Sequence, residues 1–238
     1  MKGELTTAFT CDLPMLLIIG SMFADVSKPA RLATGCALLA TLLLPIAVAH
    51  AGDYRFDTVH SSIVFFVDHD GYSDAIGRLK VARGWFRFDP NDWANSKVVA
   101  DIPLDGVDMG DAAWNHVVAG ADFLDAKAQP LAHFASTSVE KTGPDTGILY
   151  GQLTFRRRTV GVAFPFRLNK RAFTIYGFHS VAGFTGLATL DRRQWGMDAF
   201  DSVVGVKVKV LLEIEGIADG NARRAYQASI RKNGKQPS

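Results

Sequence analysis

The sequence predicts an all-β fold: about nine short antiparallel strands closing into a sandwich or a barrel, with one short helix. Three observations predict it. Apolar and polar residues alternate with period two through most of residues 52–238. Clusters of Gly, Pro, Asn and Asp, such as Asp89-Pro90-Asn91-Asp92 and Gly143-Pro144-Asp145, separate the alternating runs. Residues 110–120 alone break the rhythm with helical spacing.

The first 51 residues stand outside that pattern. Lys28 and Arg31 precede an apolar run from Cys36 to Ala49, and Ala49-His50-Ala51 forms an A-x-A cleavage signal ahead of the polar Gly52-Asp53-Tyr54. This is the layout of a secretory signal peptide cut between Ala51 and Gly52; the run is too short to span a bilayer, and Pro45 interrupts a helix. Met22 is an alternative start that gives a signal of ordinary length. Cys11 and Cys36 are the two cysteines, so the mature chain carries no thiol. An exported chain without disulfides suits a periplasm, and thiol catalysis and cysteine-ligated metals are excluded.

Within the mature chain, Ile63, Phe65, Val67 and His69 share one strand face. Strands follow over 79–88 and 96–104. Trp114, Val117 and Val118 then fall at helical spacing, with Asp111 at the start, where an acid complements the dipole, and Gly120 at the end. Further strands cover 132–140, 147–156, 160–168, 171–180 and 181–192. Val206 to Glu215 alternates most regularly, with one face for a core and one for water. No linker divides the chain, so residues 52–218 read as one domain. Residues 219–238, basic and without regular apolar spacing, read as a flexible tail. A closed barrel leaves no strand edge open, and one of about eight strands can enclose an apolar ligand.

Net charge is +2, which gives no case for nucleic acid. The run Arg156-Arg157-Arg158 reads as a strand end or turn. Asp68 and His69 are strand neighbours and point to opposite faces; His60 and His69 are likewise separated by an odd spacing. No H-E-x-x-H pair is present, and Gly71-Tyr72-Ser73-Asp74-Ala75 lacks the final glycine of a nucleophile elbow. Asp105, Asp108, Asp111, Asp122 and Asp125 cluster around the helix; as caps and loop acids they need no function, and as a carboxylate pair they are the basis of a competing hydrolase reading. His116 and His133 read as hydrogen-bonded structural residues. What abounds is aromatic surface: residues 52–238 hold fourteen Phe, four Trp and five Tyr, enough for a core and for an apolar pocket.

The stretch HSSIVFFVDHDGYSDAIGRLK at 60–80 resembles the opening of the YceI-like family, periplasmic polyisoprenoid-binding proteins. The likeness continues through GWFRFDPND at 84–92, GADFLDAKAQPLAHFASTSV at 120–139, GQLTFRRRTVGVAF at 151–164, AGFTGLATLDRRQWGM at 182–197 and VGVKVKVLLEIE at 204–215. The chain departs from the family pattern at Arg157, Gly161 and Asp105–Met109. The resemblance implies an eight-stranded antiparallel, lipocalin-like barrel with one short helix. It implies a long isoprenoid lipid, a polyprenyl compound or quinone tail, in the lumen, with no catalytic residue, metal or further cofactor. For some relatives it implies association with membrane b-type cytochromes; a transient contact of that kind or with a membrane, and a homodimer, remain open. The lining expected from the inward phases is Ile63, Phe65, Val67, Phe86, Phe88, Phe134, Val162, Phe164, Phe166, Phe184 and Val208. Trp114 and Phe123 are expected to plug or flank the mouth, and His69 to meet a polar head.

Overall fold

In the computed structural model residues 52–233 are described, and the expected signal peptide with both cysteines lies outside them. Ten strands follow in chain order: β1 (Gly52–Phe56), β2 (Ser62–His69), β3 (Ser73–Leu79), β4 (Arg83–Phe88), β5 (Lys97–Pro103), β6 (Leu131–Lys141), β7 (Thr146–Phe155), β8 (Arg158–Thr174), β9 (His179–Asp191) and β10 (Val204–Ala218). Helix α1 (Ala112–Ala119) lies between β5 and β6, and helix α2 (Ala222–Asn233) follows β10.

Every pairing between these strands is antiparallel. The ring runs β1-β4-β5-β6-β7-β8-β9-β10 and closes between β10 and β1. It is an eight-stranded barrel because β10 is long enough for two partners. Its first part pairs with β2, through Val208↔Val67, Val210↔Phe65 and Leu212↔Ile63. Its end pairs with β1, through Gly216↔Phe56 and Ala218↔Tyr54. β1 and β2 are therefore two halves of one stave, and β3 and β4 two halves of the next. The buried Ser61 joins the halves, donating from its hydroxyl to the Glu215 carbonyl and accepting from the Glu215 amide, each at 3.1 Å.

Two strand boundaries differ from the sequence reading. The run 79–88 is broken at residues 80–82, where Val81 is buried and Ala82 N donates to the Asp101 carbonyl at 2.9 Å; the inward phase shifts across the break, from Leu79 and Val81 to Phe86 and Phe88. Residues 171–180 straddle the β8–β9 turn rather than forming one strand, and neither β1 nor β3 was anticipated. The C-terminal segment is a further correction. Residues 222–233, read as part of a flexible tail, form α2, whose Ala222 and Tyr226 are buried on the outer wall against Trp85 and Val99. The tail reading failed because α2 needs only a narrow apolar stripe on one side of a strongly basic helix.

Beneath α2 the outward-facing Asp101 gathers Arg83 Nε at 2.6 Å, His133 Nδ1 at 2.7 Å and the Tyr226 hydroxyl at 3.4 Å. Burial alone would raise the Asp101 carboxyl, but hydrogen bonds from His133 and Arg83 outweigh it and hold the group below its ordinary value. Burial, with the Asp101 charge beside it, pushes the Tyr226 phenol up to about 12.

Candidate functional site

The inward faces of the strands do not meet. They enclose a cavity of about 560 Å³ that extends along the barrel from a floor to a mouth. Side chains along its wall include Ile63, Phe65, Val67, Phe134, Phe164, Val208, Val210 and Leu212, in the alternating registers that put them on one face.

The floor is sealed by rings. Phe88 meets Phe184 edge-on at 5.3 Å and Trp93 at 5.4 Å, and Trp93 stacks on Phe166 at 5.6 Å. Tyr54 lies flat on Phe86 at 4.8 Å, over Gly216, where an added Cβ would collide with the Phe86 ring. Phe88 and Trp93 are 2% and 4% exposed.

The mouth is assembled from three segments. Asp111 caps α1, its Oδ1 accepting from Trp114 N at 3.0 Å, which sets Trp114 over His69 at 5.9 Å. Phe123, after α1, stacks on Phe200 from the loop before β10 at 6.0 Å. The third segment, residues 104–109, joins the free edge of β3 through paired hydrogen bonds between Arg78 and Asp108.

Two arginines fasten these segments. Arg156, in the β7–β8 turn, donates to the carbonyls of Ala121 (2.5 Å), Phe123 (2.6 Å), Trp195 (3.1 Å) and Gly196 (3.2 Å). Arg192, 2% exposed, donates to the carbonyls of Met197, Val204 (2.9 Å) and Gly205 (3.1 Å) and to Asp201 Oδ1 (2.7 Å). The arginine run does form a turn, as its sequence suggested, but its first member also holds the rim. No sequence signal marks Arg192; a guanidinium facing a cavity is recognisable only from the carbonyls that converge on it.

Of the residues assigned to the lining, Ile63, Phe65, Val67, His69, Phe86, Phe88, Trp114, Phe123, Phe134, Phe164, Phe166, Phe184 and Val208 border the cavity. Val162 does not. It is buried in the core, and the Phe134 ring lies over its cross-strand partner Gly151, filling the space beside it. Asp68, assigned to the outer face, does border the cavity alongside His69. The cause is a bulge: β10 places residues 205–207 opposite Asp68 alone, between the pairs Val204↔His69 and Val208↔Val67. The same bulge interrupts the alternation read through Val206. Sequence reasoning missed Leu149, Leu153, Leu190 and Leu212 on the wall and Met109, Phe200 and Val203 at the mouth. The wall leucines follow from the same phases; the mouth residues sit on loops, where phase says nothing.

His60, read as separate from His69, does not border the cavity and bonds to Asp57. Its Nδ1 lies 2.8 Å from Asp57 Oδ2, and that hydrogen bond raises the imidazole above its ordinary value. Asp57, His60 and Glu215 place ligand-type atoms within 4.8 Å of one another outside the lumen. His133 is hydrogen-bonded to Asp101, as a structural histidine should be. Of Asp105, Asp108, Asp111, Asp122 and Asp125, Asp111 caps α1 and Asp108 accepts from the Gly110 amide at 2.9 Å.

The YceI-like domain model matches residues 54–216. The chain belongs to the YceI-like family. Among YceI-like relatives, a UPF0312 protein of Shewanella oneidensis is 33% identical over 180 residues, covering 75% of this chain and 93% of that protein. One from Vibrio cholerae is 31% identical over 192 residues, covering 80% and 98%. The barrel is similar to that of Burkholderia cenocepacia BcnA, with a TM-score of 0.60 and 23% identity over 67% of this chain and 98% of that one. It is also similar to a structure described as a polyisoprenoid binding domain from Saccharophagus degradans, with a TM-score of 0.54 and 11% identity over 70% and 98%. These two likenesses bear on the fold alone.

Proposed function

We propose that this chain is an exported carrier that holds one long isoprenoid lipid, a polyprenyl compound or a quinone tail, in its lumen. The observation that carries the reading is the cavity of about 560 Å³, walled by aliphatic and aromatic side chains from floor to mouth. A polyprenyl tail is apolar along its length and asks for no directional hydrogen bond. Each buried methylene is worth roughly 0.8 kcal/mol, and affinity for ligands of this size is limited to about 0.3 kcal/mol per heavy atom. Several isoprene units therefore suffice without a polar anchor. His69 and Asp68 at the mouth are placed to meet a head group, with Trp114 and Phe123 flanking it. The polyisoprenoid binding described for the Saccharophagus degradans domain supports the same ligand class. The sequence pattern of residues 1–51 supports export to a periplasm.

The reading is one of binding rather than catalysis, because Asp111 and Asp108, two of the loop acids that would serve a hydrolase, are engaged locally as a helix cap and in a turn. Mass spectrometry of an organic extract of the purified protein tests it. One isoprenoid per chain is the expected result. Defined turnover lost on Asp108→Asn or Asp111→Asn, from a protein that yields no lipid, would replace the carrier with an enzyme.

A further inference from the structure

β8 and β9 outrun the barrel. The last β7 partner on β8 is Arg167, and the last β10 partner on β9 is Val181. Beyond those points the two strands pair with each other, ending at Phe173↔Ser180 and Thr174↔His179. The projecting tip lies at the floor end, opposite α1 and the mouth.

That tip is apolar where solvent should favour polar residues. Phe173, Ile175, Tyr176 and Phe178 are 61% to 84% exposed. Phe178 has a φ of 52°, next to Gly177 at 88°. A bulky side chain is disfavoured in that region, where Gly or Asn would be at ease, yet an aromatic ring is displayed there. Tyr176 N donates to Thr174 Oγ1 at 3.1 Å, and His179 Nδ1 lies 3.0 Å from the Gly177 carbonyl, so the turn is defined.

Bases accompany the apolar tip along the hairpin strands. From Thr146 to Leu190 the chain contains no Asp or Glu, while Arg167, Lys170 and Arg171 flank the tip. Arg171 Nε donates to the Tyr54 hydroxyl at 2.8 Å, which ties the hairpin stem to the barrel base. The mouth segments carry Asp68, Asp70, Asp74, Asp108, Asp111 and Asp122 together with Arg78, Arg156, Arg157 and Arg158.

We propose that the β8–β9 tip is a docking finger for the surface of an anionic lipid bilayer. Aromatic side chains favour the interface between headgroups and hydrocarbon, and neighbouring bases are drawn to anionic lipid. Four apolar side chains with flanking bases are the amphipathic combination that binds there reversibly. The mouth segments, at the opposite end, then face away from the bilayer, so the barrel stands floor-down. The inference stands whatever the lumen carries.

Hydrogen exchange read by mass spectrometry on the full chain tests it, with vesicles of phosphatidylcholine and phosphatidylglycerol against vesicles of phosphatidylcholine alone. Anionic vesicles should slow exchange at residues 172–180 and leave β10 unchanged. Replacing Phe173, Tyr176 and Phe178 together by Ser should remove that protection and lower vesicle association at least about tenfold. The core lies elsewhere, so the melting temperature should hold; a reading of β10 exchange confirms the fold. Three outcomes overturn the proposal: no slowing at the tip, equal slowing on both vesicle types, or protection that rises with protein concentration before lipid is added. The last assigns the tip to a second copy of the chain.

Discussion

The floor and the mouth of the lumen are both built from aromatic side chains, but they are held in different ways. At the floor, Phe88, Trp93, Phe166 and Phe184 pack ring against ring, and Phe88 and Trp93 are buried. At the mouth, Trp114 and Phe200 are 44% and 54% exposed, and order comes from arginines that grip backbone carbonyls. Dispersion contacts are short-ranged and numerous, so a packed floor is rigid. Hydrogen-bonded loops can open and reclose without emptying a core. A barrel that took up a long chain through one end without leaking it through the other would need this difference.

Substitutions at the two ends should separate the roles. Trp93→Ala should show the largest effect, a loss of about 3–5 kcal/mol in denaturant unfolding, because it removes a buried ring from the floor. Arg192→Met should cost about 2–4 kcal/mol, because the carbonyls of Met197, Val204 and Gly205 lose a buried donor. Hydrogen exchange should then localise the loosening to residues 197–204; a uniform effect would deny Arg192 its part at the rim.

Asp101→Asn should cost about 1–3 kcal/mol through Arg83 and His133. Its pH dependence has a definite sign. The folded carboxyl lies below the ordinary value of 3.8, so its stabilisation is complete above that value and is lost as pH falls through the folded one. Thermal melts should show the acid slope below about pH 4 flattened in the Asn variant. Trp114→Ala should have the smallest effect on stability, under about 1 kcal/mol, while releasing bound lipid faster. Equal losses from Trp93→Ala and Trp114→Ala would erase the distinction between the ends.

How much of this was legible in the sequence follows the same division. Alternation in β2 and β10 placed Ile63, Phe65, Val67 and Val208 on the wall, because period two survives wherever one face is buried. Phe86, Phe88, Phe166 and Phe184 were legible for the same reason. Val162 has the right phase and no access, since one bulky neighbour decides whether an inward residue meets a cavity or a ring. The bulge that brings Asp68 to the cavity leaves no mark that alternation can show. α2 was hidden because its sequence is dominated by charge and its burial rests on Ala222 and Tyr226. The mouth was the least legible part: Arg156 and Arg192 act on carbonyls contributed by distant segments, and that convergence exists only after folding.

Gly186 offers the most direct test of an open lumen. It borders the cavity at an ordinary backbone angle, and an added Cβ would meet Leu212 Cδ1 only at 3.4 Å. Gly186→Phe should therefore fold, melt at or above the temperature of the unaltered chain, and carry no extractable isoprenoid, whereas the unaltered chain should yield one per barrel. A plugged variant that still co-purifies with the same lipid in the same amount would contradict a cargo held in the lumen.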